Sequence, residues 1–202
     1  MKIKFYIFIF LLSLGFSNKK INLPPDNYDK WNILLDNKTA IHWTNYDNFP
    51  ICKAERILNQ KYSDVFKIIE NKINYPNVFR RISKIKLYED DIIHIHLNMP
   101  FPFSKRDYIV KYELVNKQNY SEFYFHSVKH PKSIRPKDSV LLPNAGGKWI
   151  IKKISYDKTK VTYIWNGQLL GDFPDWAMTK AWKKQGEEVL EWLNISLNNA
   201  RY

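Results

Sequence analysis

From residue 82 onward the chain carries a succession of short alternating segments and then one long amphipathic stretch, and this order constrains the fold most. The segments Ile82 to Tyr88, Ile92 to Met99, Asp107 to Val115, Tyr120 to Val128, Lys148 to Ser155 and Lys160 to Asn166 alternate apolar and polar residues with period two. They are rich in β-branched and aromatic side chains, which predicts strands. The links between them, such as Glu89-Asp90-Asp91 and Asn116 to Asn119, are short and polar. That favours antiparallel neighbours, because parallel strands need a crossover of about a dozen residues or more. Pro174 to about Leu197 predicts a helix: Met178, Trp182, Val189, Leu193 and Leu197 recur at helical spacing, with Lys180, Lys183, Lys184, Glu187, Glu188 and Glu191 around the remainder. Gly186 costs about 1 kcal/mol there relative to Ala, so it either permits a close approach by sheet or ligand or is simply tolerated. A strand meander closed by one long helix predicts an α+β fold, a curved antiparallel sheet wrapped around the helix. If the sheet curls strongly, an apolar cavity is left between the two.

Upstream, Tyr28 to Leu35 reads as a short helix with Trp31 and Leu34 or Leu35 on one face, broken by Asn37 and Lys38. Ala40 to Tyr46 and Ile51 to Leu58 read as strands joined by a turn at Asp47 to Pro50, and Tyr62 to Asn71 as a helix with Ser63 and Asp64 as caps. At the start, Lys2 and Lys4 precede the apolar run Phe5 to Leu14, followed by Gly15 and Ser17, the layout of a secretory signal peptide. The run of about ten residues falls short of the roughly 20 that span a bilayer, so cleavage after Ser17 is expected in preference to a permanent anchor. The expected organisation is a leader at 1–17, a linker at 18–26 and one domain at 27–200, since 202 residues suit a single domain. The mature protein is expected in the periplasm or outside the cell.

Hydrophobic residues make up 45% of the chain and aromatics 16%, enough to build a core or a greasy pocket and to exclude a disordered chain. The lone Cys52 forms no internal disulfide and reads as a buried, inert strand residue. The formal charge is +12, or +10 without Lys2 and Lys4, so the surface is cationic. This suits solubility or attraction to an anionic membrane surface. With no helix-turn-helix, zinc-finger or RNA-recognition signature, nucleic acid ranks below a membrane as a partner. His94 and His96 point the same way on their strand, but the other candidates His42, His126 and His130 come from uncertain faces. A catalytic metal needs a third ligand, so outward-facing surface histidines are the favoured reading, and no metal or other cofactor is expected. Gly146-Gly147 reads as a plain turn, and neither a phosphate-binding loop nor a nucleophile elbow is present.

Four local strings, in order, carry a resemblance. Tyr75-Pro76-Asn77-Val78-Phe79, Pro100-Phe101-Pro102-Phe103-Ser104-Lys105-Arg106-Asp107-Tyr108, Thr159-Lys160-Val161-Thr162-Tyr163 and Gly171-Asp172-Phe173-Pro174-Asp175-Trp176 resemble segments of the START family. These are the lipid-transfer domains related to steroidogenic acute regulatory protein, within the helix-grip superfamily. The resemblance spans Trp31 to Leu197. It implies a tunnel that takes one lipid or other hydrophobic molecule without covalent chemistry; the chain is expected to be a monomer. The last helix and the loop Pro100 to Lys105 would act as a gate, with Pro100, Phe101, Pro102, Phe103 and Arg106 as its residues. The alternative within the superfamily is a cyclase or hydrolase acting on a molecule held in the same cavity.

Alternation nominates the lining. Ile93, Ile95, Leu97 and Met99 share one strand face, as do Tyr108, Val110, Tyr112 and Leu114, while Phe123 and Phe125 share theirs with Ser121 and Ser127. Met178 and Trp182 join them from the helix. These residues suit ordinary packed core about as well as ligand contact. Tyr112 stands where sterol-handling members of the family often carry an Arg, which argues against sterol, although a phenol can hydrogen-bond a ligand's polar end. Arg106 beside Asp107 reads as an anchor for the loop in preference to a cation offered to a headgroup. Arg135 is ambiguous, and its segment, 132–147, is the least readable in the chain.

Overall fold

The computed structural model describes residues 21–89 and 91–199; the expected leader and the start of the linker lie outside the described residues. Ten strands, β1 (Asn32–Asp36), β2 (Ala40–Tyr46), β3 (Phe49–Leu58), β4 (Ile82–Glu89), β5 (Ile92–Leu97), β6 (Lys105–Asn116), β7 (Tyr120–Ser127), β8 (Ser139–Leu141), β9 (Gly146–Lys153) and β10 (Thr159–Asn166), form one curved, open sheet. Its order is β1-β2-β3-β10-β9-β7-β6-β5-β4, with antiparallel neighbours throughout that path. Strand β8 lies off it and pairs parallel to Lys105–Asp107 of β6. Helices α1 (Tyr62–Glu70) and α2 (Tyr75–Val78) follow β3, and α3 (Met178–Asn199) closes the chain, packing on β1, β2 and β3 and touching α1 and α2. This is the expected α+β arrangement of a curved sheet gripping a C-terminal helix.

Helix α3 is held by the stripe Trp182, Gly186, Leu190, Leu193 and Leu197, all buried. Burying each large apolar side chain stabilises the fold by roughly 2 kcal/mol. Between the two readings of Gly186, the structure selects close approach. A Cβ there would stand 3.0 Å from Ile41 Cδ1 and 3.1 Å from Ala54 Cβ, so helix and sheet meet where the side chain is missing. One turn earlier the Trp182 ring packs 5.0 Å from Trp43, and its indole N–H donates to the Gly167 carbonyl at 2.7 Å. Gln60 adds a hydrogen bond to Asn198 at 2.6 Å, and Arg56 pairs with Glu191.

Several sequence expectations are corrected. Residues 28–35 are not a helix: Asn32–Asp36 form the edge strand β1, whose register shifts between Ile33 and Leu35. That bulge breaks strict alternation and brings Leu34 and Leu35 both against the core, imitating helical spacing. The β2–β3 turn is only Asp47-Asn48, both with positive φ, 50° and 67°, so Phe49 and Pro50 already belong to β3. Two such residues match the right-handed strand twist. Ser63 and Asp64 do not cap α1; its N-cap is Lys61, without a side-chain cap bond. Gly146-Gly147 is not a turn but the start of β9.

His94 is not an outward surface residue. It is 1% exposed, its Nε2 lies 2.8 Å from Asp107 Oδ2, and its Nδ1 lies 3.2 Å from the Tyr88 hydroxyl. The reason is the unreadable segment that follows β7. It is fastened to the start of β6, on the edge that β7 pairs further along, by β8, by the Val128 amide on the Ile109 carbonyl and by the Leu142 amide on the Asp107 carbonyl, the last two bonds 2.9 Å each. His130 from this segment stacks on Tyr88 at 4.2 Å, so β5 is covered on both faces.

Candidate ligand-binding cavity

Between sheet and helix lies a cavity of about 410 Å³. That is within the range of roughly 300–1,000 Å³ typical of small-molecule sites. Its wall is a run of rings brought together by cross-strand register. Tyr163 of β10 pairs with Trp149 of β9, and their rings stack at 4.2 Å. Phe79 continues the stack beyond Trp149 at 5.8 Å, and Trp165 continues it beyond Tyr163 at 4.9 Å. Every second residue of a strand faces inward, so two neighbouring strands suffice to lay this surface. Glycine at position 147 leaves the room it needs, because a Cβ there would stand 2.7 Å from Phe125 Cζ.

Of the residues nominated from sequence, Ile95, Leu97, Met99, Tyr108, Tyr112 and Phe125 line this cavity. Ile93, Val110 and Phe123 are buried but outside the lining, with Phe123 packed against Phe66 at 5.2 Å. Leu114 is 41% exposed, because β6 runs past its last pairing with β5 at Lys111 and overhangs with β7. Met178 and Trp182 are also outside the lining, since the strong apolar stripe of α3 is spent against the sheet. The helix faces the cavity with the flank Ala181, Gln185, Glu188, Val189 and Trp192 instead. At the mouth, Pro100 and Phe103 line the cavity, Pro102 does not, and Phe101 is 96% exposed. Cys52 is buried and burial pushes its thiol well up, away from nucleophile chemistry.

Sequence reading missed the aromatic wall of Trp149, Tyr163 and Trp165, although the same alternation that nominated β5 to β7 would have found it. It also missed the ion pair at the helix flank, where Arg81 donates two hydrogen bonds to Glu188, at 2.6 and 3.0 Å. Nothing local signals a pair 107 residues apart. Among the described residues, no group of three or more His, Cys, Asp or Glu side chains converges as a metal site.

Arg106 does not line the cavity but is fully buried behind its mouth. It donates to the carbonyls of Leu169 at 2.9 Å and Leu170 at 2.8 Å, to Asp172 Oδ1 at 2.9 Å and to the Ser104 carbonyl. Asp172 Oδ2 in turn accepts from the Ser104 amide at 2.9 Å and the Ser104 hydroxyl at 3.0 Å. Phe103 packs on Phe173 at 4.5 Å, so the loop before β6 and the loop before α3 form one joined rim. The Ser104 amide, with help from the Ser104 hydroxyl and Arg106, draws the Asp172 carboxyl down to about 2. A carboxylate depressed below its free value near 3.9 holds the rim at full strength above roughly pH 4 and releases it as the pH falls toward 2. Amide hydrogen exchange at Ser104, corrected for its intrinsic rate, is expected to lose protection across that window. Asp172→Asn should show low, pH-independent protection; protection in the parent chain that ignores pH would refute the linkage.

Burial raises the phenols of Tyr75, Tyr108, Tyr112 and Tyr163, so all four stay neutral at physiological pH. Tyr75 donates to the Ile69 carbonyl at 2.6 Å. The site therefore offers apolar and aromatic surface with a few neutral hydrogen-bonding groups and, on the helix flank, the mutually paired Arg81 and Glu188. Such a lining can hold a hydrophobic molecule and orient one polar end of it.

No protein-family model matches the chain, and no curated protein matches it. Solved structures do. A STAR-related lipid transfer protein fragment from Xanthomonas axonopodis superposes with a TM-score of 0.73 at 18% identity, covering 84% of this chain and 99% of that one. Human StAR-related lipid transfer protein 5 gives a TM-score of 0.76 at 12% identity, covering 85% and 88%. The Zhui aromatase/cyclase from Streptomyces sp. R1128 gives 0.56 at 11% identity, covering 75% and 95%. With its ten-stranded curved sheet closed on α3, the chain has the START-type helix-grip fold.

Proposed function

We propose that the protein binds one lipid or similar hydrophobic molecule in this cavity and carries or sequesters it. The observation that bears most weight is the cavity of about 410 Å³ walled by stacked aromatic rings and aliphatic side chains. The lipid transfer proteins that share the fold support the reading. Native mass spectrometry of the purified full chain tests it. A co-purifying hydrophobic molecule, or uptake of a fluorescent lipid, supports binding; protein that is empty and takes up no lipid refutes it. The likeness to an aromatase/cyclase favours a second reading, an enzyme acting inside the same cavity. Incubation with the captured molecule separates the two, since a carrier returns it unchanged.

The rim supplies a docking surface for the same activity. Phe101 is 96% exposed and Trp176 84%, and Leu170, Lys180 and Lys184 stand beside the mouth. Buried in a bilayer interface, two such rings contribute a few kcal/mol, and the lysines favour anionic headgroups. The double variant Phe101→Ser, Trp176→Ser is expected to lower partitioning onto phosphatidylserine-containing vesicles at least about tenfold in a sedimentation assay. Partitioning equal to that of the parent chain would refute this docking face. Export by the leader belongs to the proposal too, on the residues Lys2 to Ser17 alone; N-terminal sequencing of the exported chain should begin at Asn18.

A further inference from the structure

Four tyrosines meet in the cavity, and they are not equivalent. Tyr75 is satisfied through the Ile69 carbonyl, and the Tyr112 phenol is turned toward Tyr75. Tyr108 and Tyr163 line the same space and keep part of their surface accessible, yet neither phenol has a hydrogen-bond partner among the described residues. A phenol removed from bulk water ordinarily finds a partner, and two that converge on one apolar space without any are unusual. The cations of the lining are elsewhere. Arg81 is engaged bidentately by Glu188, while Lys180 and Lys184 are exposed residues at the mouth. Lys72 sits 5.1 Å from the Tyr112 ring centroid, but it does not line the cavity and is paired with Asp91 at 2.9 Å.

We infer that Tyr108 and Tyr163 together form a recognition site for a single uncharged oxygen function of the ligand, an alcohol, ketone or ester, and that this part of the cavity rejects a carboxylate or phosphate. The inference rests on the binding proposed above and narrows it to neutral lipids. The selectivity comes from two effects with one sign. Phenols kept neutral by burial both donate to and accept from an uncharged oxygen. An ionised group moved to the same place loses its hydration with no cation to offset the loss.

Isothermal titration of the full chain with naphthalene, β-naphthol and β-naphthoate tests it, because the three probes share one ring system and differ only in the polar group. β-Naphthol is expected to bind at least about tenfold tighter than β-naphthoate. Tyr108→Phe and Tyr163→Phe are each expected to weaken β-naphthol about three- to tenfold and to leave naphthalene unchanged, since the rings remain in place. If the Phe variants bind β-naphthol as the parent does, or if β-naphthoate binds as tightly as β-naphthol, the inference is wrong while binding in the cavity stands. If none of the three probes binds, both fall together.

Discussion

Gly147→Ala is expected to lower stability by about 4 kcal/mol or more, or to prevent folding, whereas its neighbour Gly146→Ala changes stability by less than about 1 kcal/mol. The difference lies in what a methyl group would meet. At Gly147 a Cβ would stand 2.0 Å from the Ile164 carbonyl oxygen, 2.7 Å from Phe125 Cζ and 2.9 Å from Trp165 Cα. Two of these are backbone atoms of β10, so no rotamer change relieves the overlap. Strand β9 is central, bonded to β7 on one side and β10 on the other, with Gly147 opposite both Phe125 and Trp165, so it cannot move aside without breaking a ladder. At Gly146 the nearest atoms, the Phe125 carbonyl oxygen and Ile21 Cβ, would be 3.5 and 3.6 Å away, ordinary contact. Urea unfolding of the two variants gives the comparison. If Gly147→Ala unfolds within 1 kcal/mol of the parent chain, as judged from its midpoint, the close approach of β9 and β10 is not what shapes the sheet.

The same glycine shows where sequence reading succeeds and where it stops. Strands β5, β6, β7, β9 and β10 were legible because apolar and polar residues alternate along them, and the long helix was legible because its stripe repeats at 3.6 residues. A Gly-Gly pair carries no such pattern, and a turn is its commonest local meaning, so its part in curving the sheet needs the partner strands to be seen. β1 was misread because its bulge puts Leu34 and Leu35 on the core side together. His94 was misread because period two separates two faces without saying what covers the second. The covering segment contributes only the three-residue strand Ser139–Leu141 to the sheet. On α3, hydrophobicity pointed to Met178 and Trp182, yet the strongest stripe of a helix is the one that packs on its own sheet. A cavity takes what lies beside that stripe, which is weaker and mixed, as Ala181, Gln185 and Glu188 are.

Arg106→Met is expected to lower the melting temperature by about 10 °C and to speed ligand release. Arg106 is completely buried, and its guanidinium is the only cation joined to both halves of the rim among the described residues. Methionine fills much of the same volume, so the loss is one of hydrogen bonds more than of packing. The Leu169, Leu170 and Ser104 carbonyls would lose their donor, at about 1 kcal/mol or more for each one that water does not reach, whereas Asp172, 41% exposed, returns to solvent. A total near 3 kcal/mol corresponds to about 10 °C for a chain of this size. The rim has a reason to open once released, because Leu170 is held at a φ of 52°, a left-handed conformation that an ordinary side chain avoids, next to Gly171 at 61°. Arg106→Lys should fall between, since one ammonium cannot reproduce a fork aimed at three carbonyls and a carboxylate. Thermal melts and stopped-flow release of a fluorescent lipid measure the two effects separately. Destabilisation without faster release would leave Arg106 as an anchor of the fold alone, and an unchanged melt would show that the rim does not depend on it.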